Sequence, residues 1–196
     1  MDIREFKKLE ESAQAALLLN KRELADFPKK GVTFIDFNKC FAKCTTFATI
    51  VDCLSSVFDR ESYNLVVAPE ARGFILGPAL ALRNEGAFVP VRKAGKLPPF
   101  SSLSYVRYKT EYSTDKIEID LDCVRRAVES KRIYKVVIYD DVLATGGTAL
   151  ACANLLKDFN LDVRFVFLSE ISSLRGREFL VNAGVKNEDI YSLIKI

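Results

Sequence analysis

A chain of 196 residues that is 49% hydrophobic and 28% charged can bury one substantial core and has the balance of an ordinary folded domain. The net charge is only +3 and no run of basic residues occurs, which argues against nucleic acid as a partner, and the absence of histidine removes Ser-His-Asp, Cys-His and histidine–metal chemistry. The five cysteines (Cys40, Cys44, Cys53, Cys123, Cys152) are odd in number and form no regular framework, so free thiols in a reducing compartment are expected, and Cys40 with Cys44 reads as small buried hydrophobes rather than a metal site.

Residues 2–24 carry Phe6, Leu9, Ala13, Ala16 and Leu17 at helical spacing and predict an amphipathic helix. Asp2, Arg4, Glu5, Lys7 and Lys8 interrupt any apolar leader, and the longest apolar stretches are too short to span a bilayer, so a cytosolic protein with no membrane partner is expected. Asp26 to Gly31 breaks the helix, and Val32 to Asp36 reads as a short extended piece. A second helix is marked by Phe47, Ile50, Val51, Leu54 and Phe58, with Thr45 or Thr46 as its cap. Asn64 to Ala68 is a short buried strand, Phe74 to Arg83 a helix, and Ala87 to Arg92 a strand. Lys93 to Thr114 is rich in Pro, Ser, Lys and Tyr without a clear period, and is expected to be a long mobile excursion. Ile117, Ile119 and Leu121 alternate with acids as in a half-buried strand. Further on come a helix through Ala149, Cys152, Ala153 and Leu156, a strand over Asp162 to Leu168, and a last strand at Ile190 to Ile194. Strands alternating with helices imply an α/β fold, a parallel twisted sheet flanked by helices, with ligands at the carboxyl ends of its strands. No repeat or linker divides the chain, so a single domain over 1–196 is expected.

The richest stretch runs from Val136 to Thr148. Four apolar or aromatic residues lead into Asp140-Asp141, then Val142-Leu143, then Ala144-Thr145-Gly146-Gly147-Thr148 and a helix. The glycines let main-chain N–H groups point at one small anion, the helix adds its positive end, and Thr145 and Thr148 add hydroxyls. Asp140 and Asp141 would repel a phosphate but suit ribose hydroxyls or a divalent cation beside it. The stretch is neither a Walker loop nor a dinucleotide fingerprint, because no Gly-Lys-Ser/Thr follows and the glycines are adjacent. An ordinary strand–turn–helix with capping acids does not need two acids and two glycines together. The pattern points to a phosphorylated sugar. Two further pieces share its logic. Ala68 to Phe74 places Arg72, a five-donor fork, beside Gly73 after a strand, and Arg92-Lys93-Ala94-Gly95-Lys96 brings three cations to a strand end.

The Val136–Thr148 stretch resembles the phosphoribosyl pyrophosphate motif of the type I phosphoribosyltransferases. Asp26-Phe27-Pro28 through Asp36, Ala71-Arg72-Gly73-Phe74-Ile75-Leu76-Gly77-Pro78, Val91-Arg92-Lys93-Ala94-Gly95-Lys96-Leu97-Pro98, Glu111-Tyr112 and Ser173-Leu174-Arg175-Gly176-Arg177-Glu178 narrow the resemblance to the adenine phosphoribosyltransferases. It spans about Asp26 to Glu178. It implies a type I phosphoribosyltransferase fold with a small N-terminal hood over 1–36, a mobile catalytic loop over 93–114, and purine salvage: adenine and phosphoribosyl pyrophosphate give AMP and pyrophosphate with Mg²⁺. On the family pattern Ala144, Thr145, Gly146, Gly147 and Thr148 hold the 5′-phosphate, and Asp140 and Asp141 address the ribose and, with the substrate, Mg²⁺. Glu70, Ala71 and Arg72 form the pyrophosphate loop, often with a non-proline cis peptide. Arg92, Lys93 and Lys96 complete the clamp, Thr33, Phe34, Ile35 and Ile171 surround adenine, and Glu111 handles a purine proton. Arg72 and Lys96, with Glu111, would act in catalysis. A homodimer is expected by the same resemblance.

Ile35 departs from the pattern, since a basic residue often stands there and isoleucine cannot donate a hydrogen bond. A transferase for another purine is disfavoured by the Asp-Phe-Pro segment. A non-catalytic regulator that senses phosphoribosyl pyrophosphate is disfavoured by the intact cationic loop and by the lack of a helix-turn-helix in residues 1–25.

Overall fold

The computed structural model describes residues 2–27, 29–57, 63–109, 114–131 and 135–196, in two compact units, Met1–Ser56 and Val57–Ile196. In the first unit, helix α1 spans Ile3–Asn20. Asp2 caps it by accepting from the Arg4 and Glu5 amides at 2.6 and 2.9 Å, while Glu5 accepts from the Asp2 amide at 3.1 Å. The helix stops four residues short of the expected end. Lys21 is extended, and residues 22–24 form a strand, β1 (Arg22–Leu24), antiparallel to β2 (Phe34–Asp36). The cross-strand ion pair of Arg22 with Asp36 supplies a reason that helical spacing cannot reveal. Helices α2 (Asn38–Phe41) and α3 (Cys44–Ser56) follow, and α1 packs on both. Cys40 is buried as expected, but Cys44, at the start of α3, is exposed.

The second unit holds a seven-stranded sheet made of β3 (Tyr63–Pro69), β4 (Ala87–Lys93), β5 (Leu103–Lys109), β6 (Thr114–Asp120), β7 (Lys135–Leu143), β8 (Asp162–Glu170) and β9 (Ile190–Lys195). The order is β5-β6-β4-β3-β7-β8-β9. Strands β4, β3, β7, β8 and β9 are parallel, and the β5–β6 pair joins β4 antiparallel. Val136 to Tyr139 and Phe165 to Leu168 are buried without alternation, as in strands covered on both faces. Helix α4 (Gly73–Arg83) joins β3 to β4, and α6 (Gly147–Leu155) joins β7 to β8. These crossovers leave the sheet centre in opposite directions. Helix α4 packs against Ala68 and Phe88, whereas α6 joins the core on the face of Leu65, Val67 and Val89, so the two helices cover opposite faces and open a crevice between the carboxyl ends of β3 and β7.

The excursion over 93–114 is not without regular structure. β5 pairs with β6 residue by residue from Leu103↔Asp120 to Lys109↔Thr114, and the Lys116 ammonium sits 3.8 Å from the Tyr105 ring centroid. Its exposed Tyr and Arg residues hide the strand period. Two short helices also emerge, α5 (Leu121–Lys131) and α7 (Gly176–Asn182). Asp120 turns the chain into α5, accepting from the Ser102 hydroxyl at 2.6 Å and the Asp122 amide at 3.0 Å.

Candidate active site

The loop after β3 and the end of β7 meet across the crevice. The Glu70–Ala71 peptide is cis, as the resemblance implies. Arg72 Nη1 lies 3.0 Å from Asp141 Oδ2, with the Arg72 side chain 45% exposed and that of Asp141 only 7%. One charge of Arg72 thus faces the crevice while anchored to the buried acid. Gly73 is needed because α4 starts against the sheet: a Cβ there would sit 3.1 Å from Ala68 Cβ and 3.3 Å from the Tyr139 carbonyl oxygen.

Asp140 and Asp141 are adjacent, Asp140 half-buried and Asp141 buried, and both resist ionisation. Burial first, then the neighbouring charge of Asp141, pushes the Asp140 carboxyl well above the usual range. Burial also raises Asp141, against the pull of Arg72. Asp140 Oδ1 accepts from the Asp141 amide at 2.9 Å. A pair this reluctant to carry two charges is short of positive partners. Ribose hydroxyls or Mg²⁺, a hard cation that takes carboxylate oxygens, fit that deficit. Among the described residues no group of three or more His, Cys, Asp or Glu could hold a metal, so most ligands of a cation here would come from substrate and water.

The Glu70 carboxylate is engaged by groups of β4. Glu70 pairs with Arg92 Nε and accepts from the Lys93 amide at 2.8 Å, and its own amide donates to the Val91 carbonyl at 2.9 Å. Burial opposes its ionisation, but the Lys93 amide, Arg92 and the charge of Lys96 outweigh it and lower its pKa. Arg92 also lies over the Phe74 ring, 5.8 Å from the centroid. Lys96 follows the tight turn at Gly95, whose φ is +78° and whose amide donates to the buried Glu118 carboxylate at 3.0 Å. Arg72, Arg92, Lys93 and Lys96 therefore all belong to the rim of one sheet end.

The loop between β7 and α6 runs from Ala144 to Thr148. Gly146 adopts φ +84° as the residue before α6, and Thr148 Oγ1 lies 3.3 Å from the Tyr108 hydroxyl on β5. The loop rests on α7. A Cβ on Gly176 would lie 2.1 Å from the Ala144 carbonyl oxygen, and one on Gly146 would lie 2.8 Å from the Gly176 carbonyl oxygen. Residue-type reasoning gave no role to Gly176 or to Tyr108. The glycine between two arginines in Arg175-Gly176-Arg177 is the signal that could have found the first.

A profile of the phosphoribosyl transferase domain family matches residues 47–181. An adenine phosphoribosyltransferase of Thermoanaerobacter sp. is 44% identical over 175 residues, covering 89% of this chain and 94% of its own. The crystal structure of adenine phosphoribosyltransferase from Thermoanaerobacter pseudethanolicus superposes with a TM-score of 0.79 at 37% identity, covering 93% and 99% of the two chains. The Saccharomyces cerevisiae enzyme, crystallised with an imino-altritol bisphosphate and adenine, superposes with a TM-score of 0.75 at 31% identity, covering 93% and 99%. The chain belongs to the adenine phosphoribosyltransferases. The parallel sheet and flanking helices are those of the type I phosphoribosyltransferase fold, and the alternative of a transferase-like regulator is set aside.

For an adenine phosphoribosyltransferase, the remaining site residues fall as follows. Thr33, Phe34 and Ile35 belong to the first unit. The Phe34 ring meets Phe27 edge to face at 5.2 Å, and Ile35 is 5% exposed on the opposite face of β2. Ile171 follows β8, and its amide donates to the Leu143 carbonyl at 2.9 Å, just before the loop that begins at Ala144. Glu111 and Tyr112 lie outside the described residues.

Proposed function

We propose that this chain transfers the 5-phosphoribosyl group to adenine through the crevice between β3 and β7. The 5′-phosphate is held by Ala144 to Thr148, the ribose hydroxyls by Asp140 and Asp141, and the pyrophosphate by the main chain of Glu70 to Arg72 and by Arg72, Arg92, Lys93 and Lys96. The observation that carries this reading is the Arg72–Asp141 contact at 3.0 Å, which joins the pyrophosphate loop to the ribose acids at the topological switch point. Bond cleavage at the anomeric carbon builds positive charge on the ribose and negative charge on the departing pyrophosphate. Arg72, Arg92 and Lys96 stabilise the second charge, with Glu70 holding Arg92 in place. Mg²⁺, bound with the substrate beside Asp140 and Asp141, supplies further charge neutralisation. Glu111 is the proposed partner of a purine proton, and Thr33, Phe34, Ile35 and Ile171 the proposed adenine contacts. A homodimer in the cytosol completes the proposal. No helix of the described residues is long and apolar enough to cross a membrane.

The test supplies phosphoribosyl pyrophosphate and Mg²⁺ with adenine, hypoxanthine, guanine or xanthine in turn, and follows nucleotide and pyrophosphate release. AMP from adenine alone is expected. Turnover with another base in preference to adenine would overturn the assigned base contacts, and no turnover on any base would overturn the assigned site.

A further inference from the structure

The segment after β8 carries a cluster that the transfer reaction does not use directly. Arg177, in the first turn of α7, is 21% exposed, and its guanidinium donates to Glu170, Asn187, Ile190 and Ser192. Its Nε lies 3.0 Å from each Glu170 oxygen, and its Nη2 lies 2.8 Å from Glu170 Oε2. Nη1 donates to the Ile190 carbonyl at 2.9 Å and to Asn187 Oδ1 at 3.1 Å. Glu170, 7% exposed at its side chain, is the last residue of β8. The guanidinium thereby ties the start of α7 to the end of β8 and to the first residues of β9.

Gly176, the residue just before Arg177, is the one on which the phosphate loop sits. The space for its absent Cβ is filled by the Ala144 carbonyl oxygen at 2.1 Å and the Gly146 amide nitrogen at 3.0 Å. Phe179 and Leu180, one turn on, come within 3.0 and 3.4 Å of a Cβ built on Gly146. At Gly176 backbone meets backbone with no side chain between, so the place of the loop follows the place of the α7 start. The same segment is tied to the strand that feeds the loop, through the Ile171 amide on the Leu143 carbonyl at 2.9 Å.

We infer that Arg177 and Glu170 are positioning residues for the 5′-phosphate loop, acting through Gly176 rather than by touching substrate. The inference rests on the assignment of Ala144 to Thr148 to the 5′-phosphate. Lysine at 177 keeps the charge but loses the planar fork, and glutamine at 170 turns an N–H toward guanidinium donors. Each loosens the seat without emptying it. A small displacement of the loop weakens its grip on the phosphate and leaves the pyrophosphate clamp, built on Glu70 and Arg92, as it was.

The experiment compares the full-length enzyme with R177K, E170Q and T145V, reading inhibition by ribose 5-phosphate and by pyrophosphate against phosphoribosyl pyrophosphate, along with melting temperature. For R177K and E170Q, inhibition by ribose 5-phosphate is expected to weaken about tenfold, with pyrophosphate inhibition changed by less than about twofold. A merely structural staple would lower the melting temperature with both inhibition constants unchanged, and that result overturns the inference, as does equal weakening of both inhibitors. Should R177K fail to fold, E170Q carries the test. T145V reports on the underlying assignment: if it leaves ribose 5-phosphate inhibition intact, the phosphate-loop assignment fails. If T145V weakens inhibition while R177K and E170Q do not, only the positioning role fails.

Discussion

Gly176→Ala isolates a steric effect from a conformational one. No positive φ obliges glycine at position 176, so the added methyl finds an allowed backbone but no room: its carbon would fall 2.1 Å from the Ala144 carbonyl oxygen, and also 3.0 Å from the Ala144 carbonyl carbon. Relieving the first contact alone requires about 0.9 Å of movement, since real Cβ atoms essentially never approach closer than 3.0 Å. Two backbone segments must separate, with no flexible side chain to yield. Overpacking of this kind costs about 1–3 kcal/mol of stability. A displacement of about 1 Å at a binding loop costs up to about 10²-fold in the reaction it serves. With α7 held by Arg177, the phosphate loop is the part that gives. We expect KM for phosphoribosyl pyrophosphate to rise at least about tenfold in steady-state assays, with KM for adenine little changed. The matched control is Gly184→Ala, where φ is +97° and nothing lies within 4 Å of the added carbon. It should cost about 1 kcal/mol of stability and leave KM alone. Unchanged KM in a folded Gly176→Ala enzyme would refute the claim that α7 seats the loop.

Replacing both Asp140 and Asp141 with asparagine should lower kcat/KM by about 10²-fold or more while the fold survives, because the pair already resists ionisation; near-normal turnover would sink the assigned sugar site. Glu111→Gln should lower turnover more than it weakens phosphoribosyl pyrophosphate binding, whereas a loss confined to binding would remove Glu111 from the chemistry. The Glu170–Arg177 pair should also show in acid. Burial works to raise the Glu170 pKa, but the bonds from Arg177 and Ser192 and the charges of Arg177 and Lys195 outweigh it and the net value is lowered. Its stabilisation is therefore fully present above the ordinary glutamate value of about 4.3 and is lost as pH falls through the lower folded value. The melting-temperature gap between wild type and E170Q should be wide at neutral pH and close in strong acid; a gap independent of pH would contradict it.

The parts of the site legible in the residues were those built from a strand, a glycine turn and a helix in sequence order. Asp140 to Thr148 and Ala71 to Gly73 keep their neighbours close along the chain, so their geometry is local and their meaning survives without coordinates. What could not be read was long-range. β1 looked like the tail of α1 because its reason for extending, the pairing of Arg22 with Asp36, lies fourteen residues away. β5 was hidden for the same reason, since its period is masked by exposed Tyr105 and Arg107 and its partner is β6. Glu70 read as part of a pyrophosphate loop, but only the parallel register of β3 with β4 brings its carboxylate to Arg92 and the Lys93 amide. The role of α7 is more remote still: it depends on contact between Gly176 and a loop thirty-two residues earlier.

That separation has a consequence for how the enzyme comes into being. A nascent chain made as far as Leu155 already contains the two acids, the glycine turn and helix α6, yet it lacks the α7 surface on which the turn rests. Support arrives with α7, and the segment leading into it is fastened just past β9, where the Ser172 amide donates to the Ile196 carbonyl at 2.8 Å and the Ile196 amide donates to the Glu170 carbonyl at 2.9 Å. The turn is thus seated only after residues well downstream of it have been made and folded.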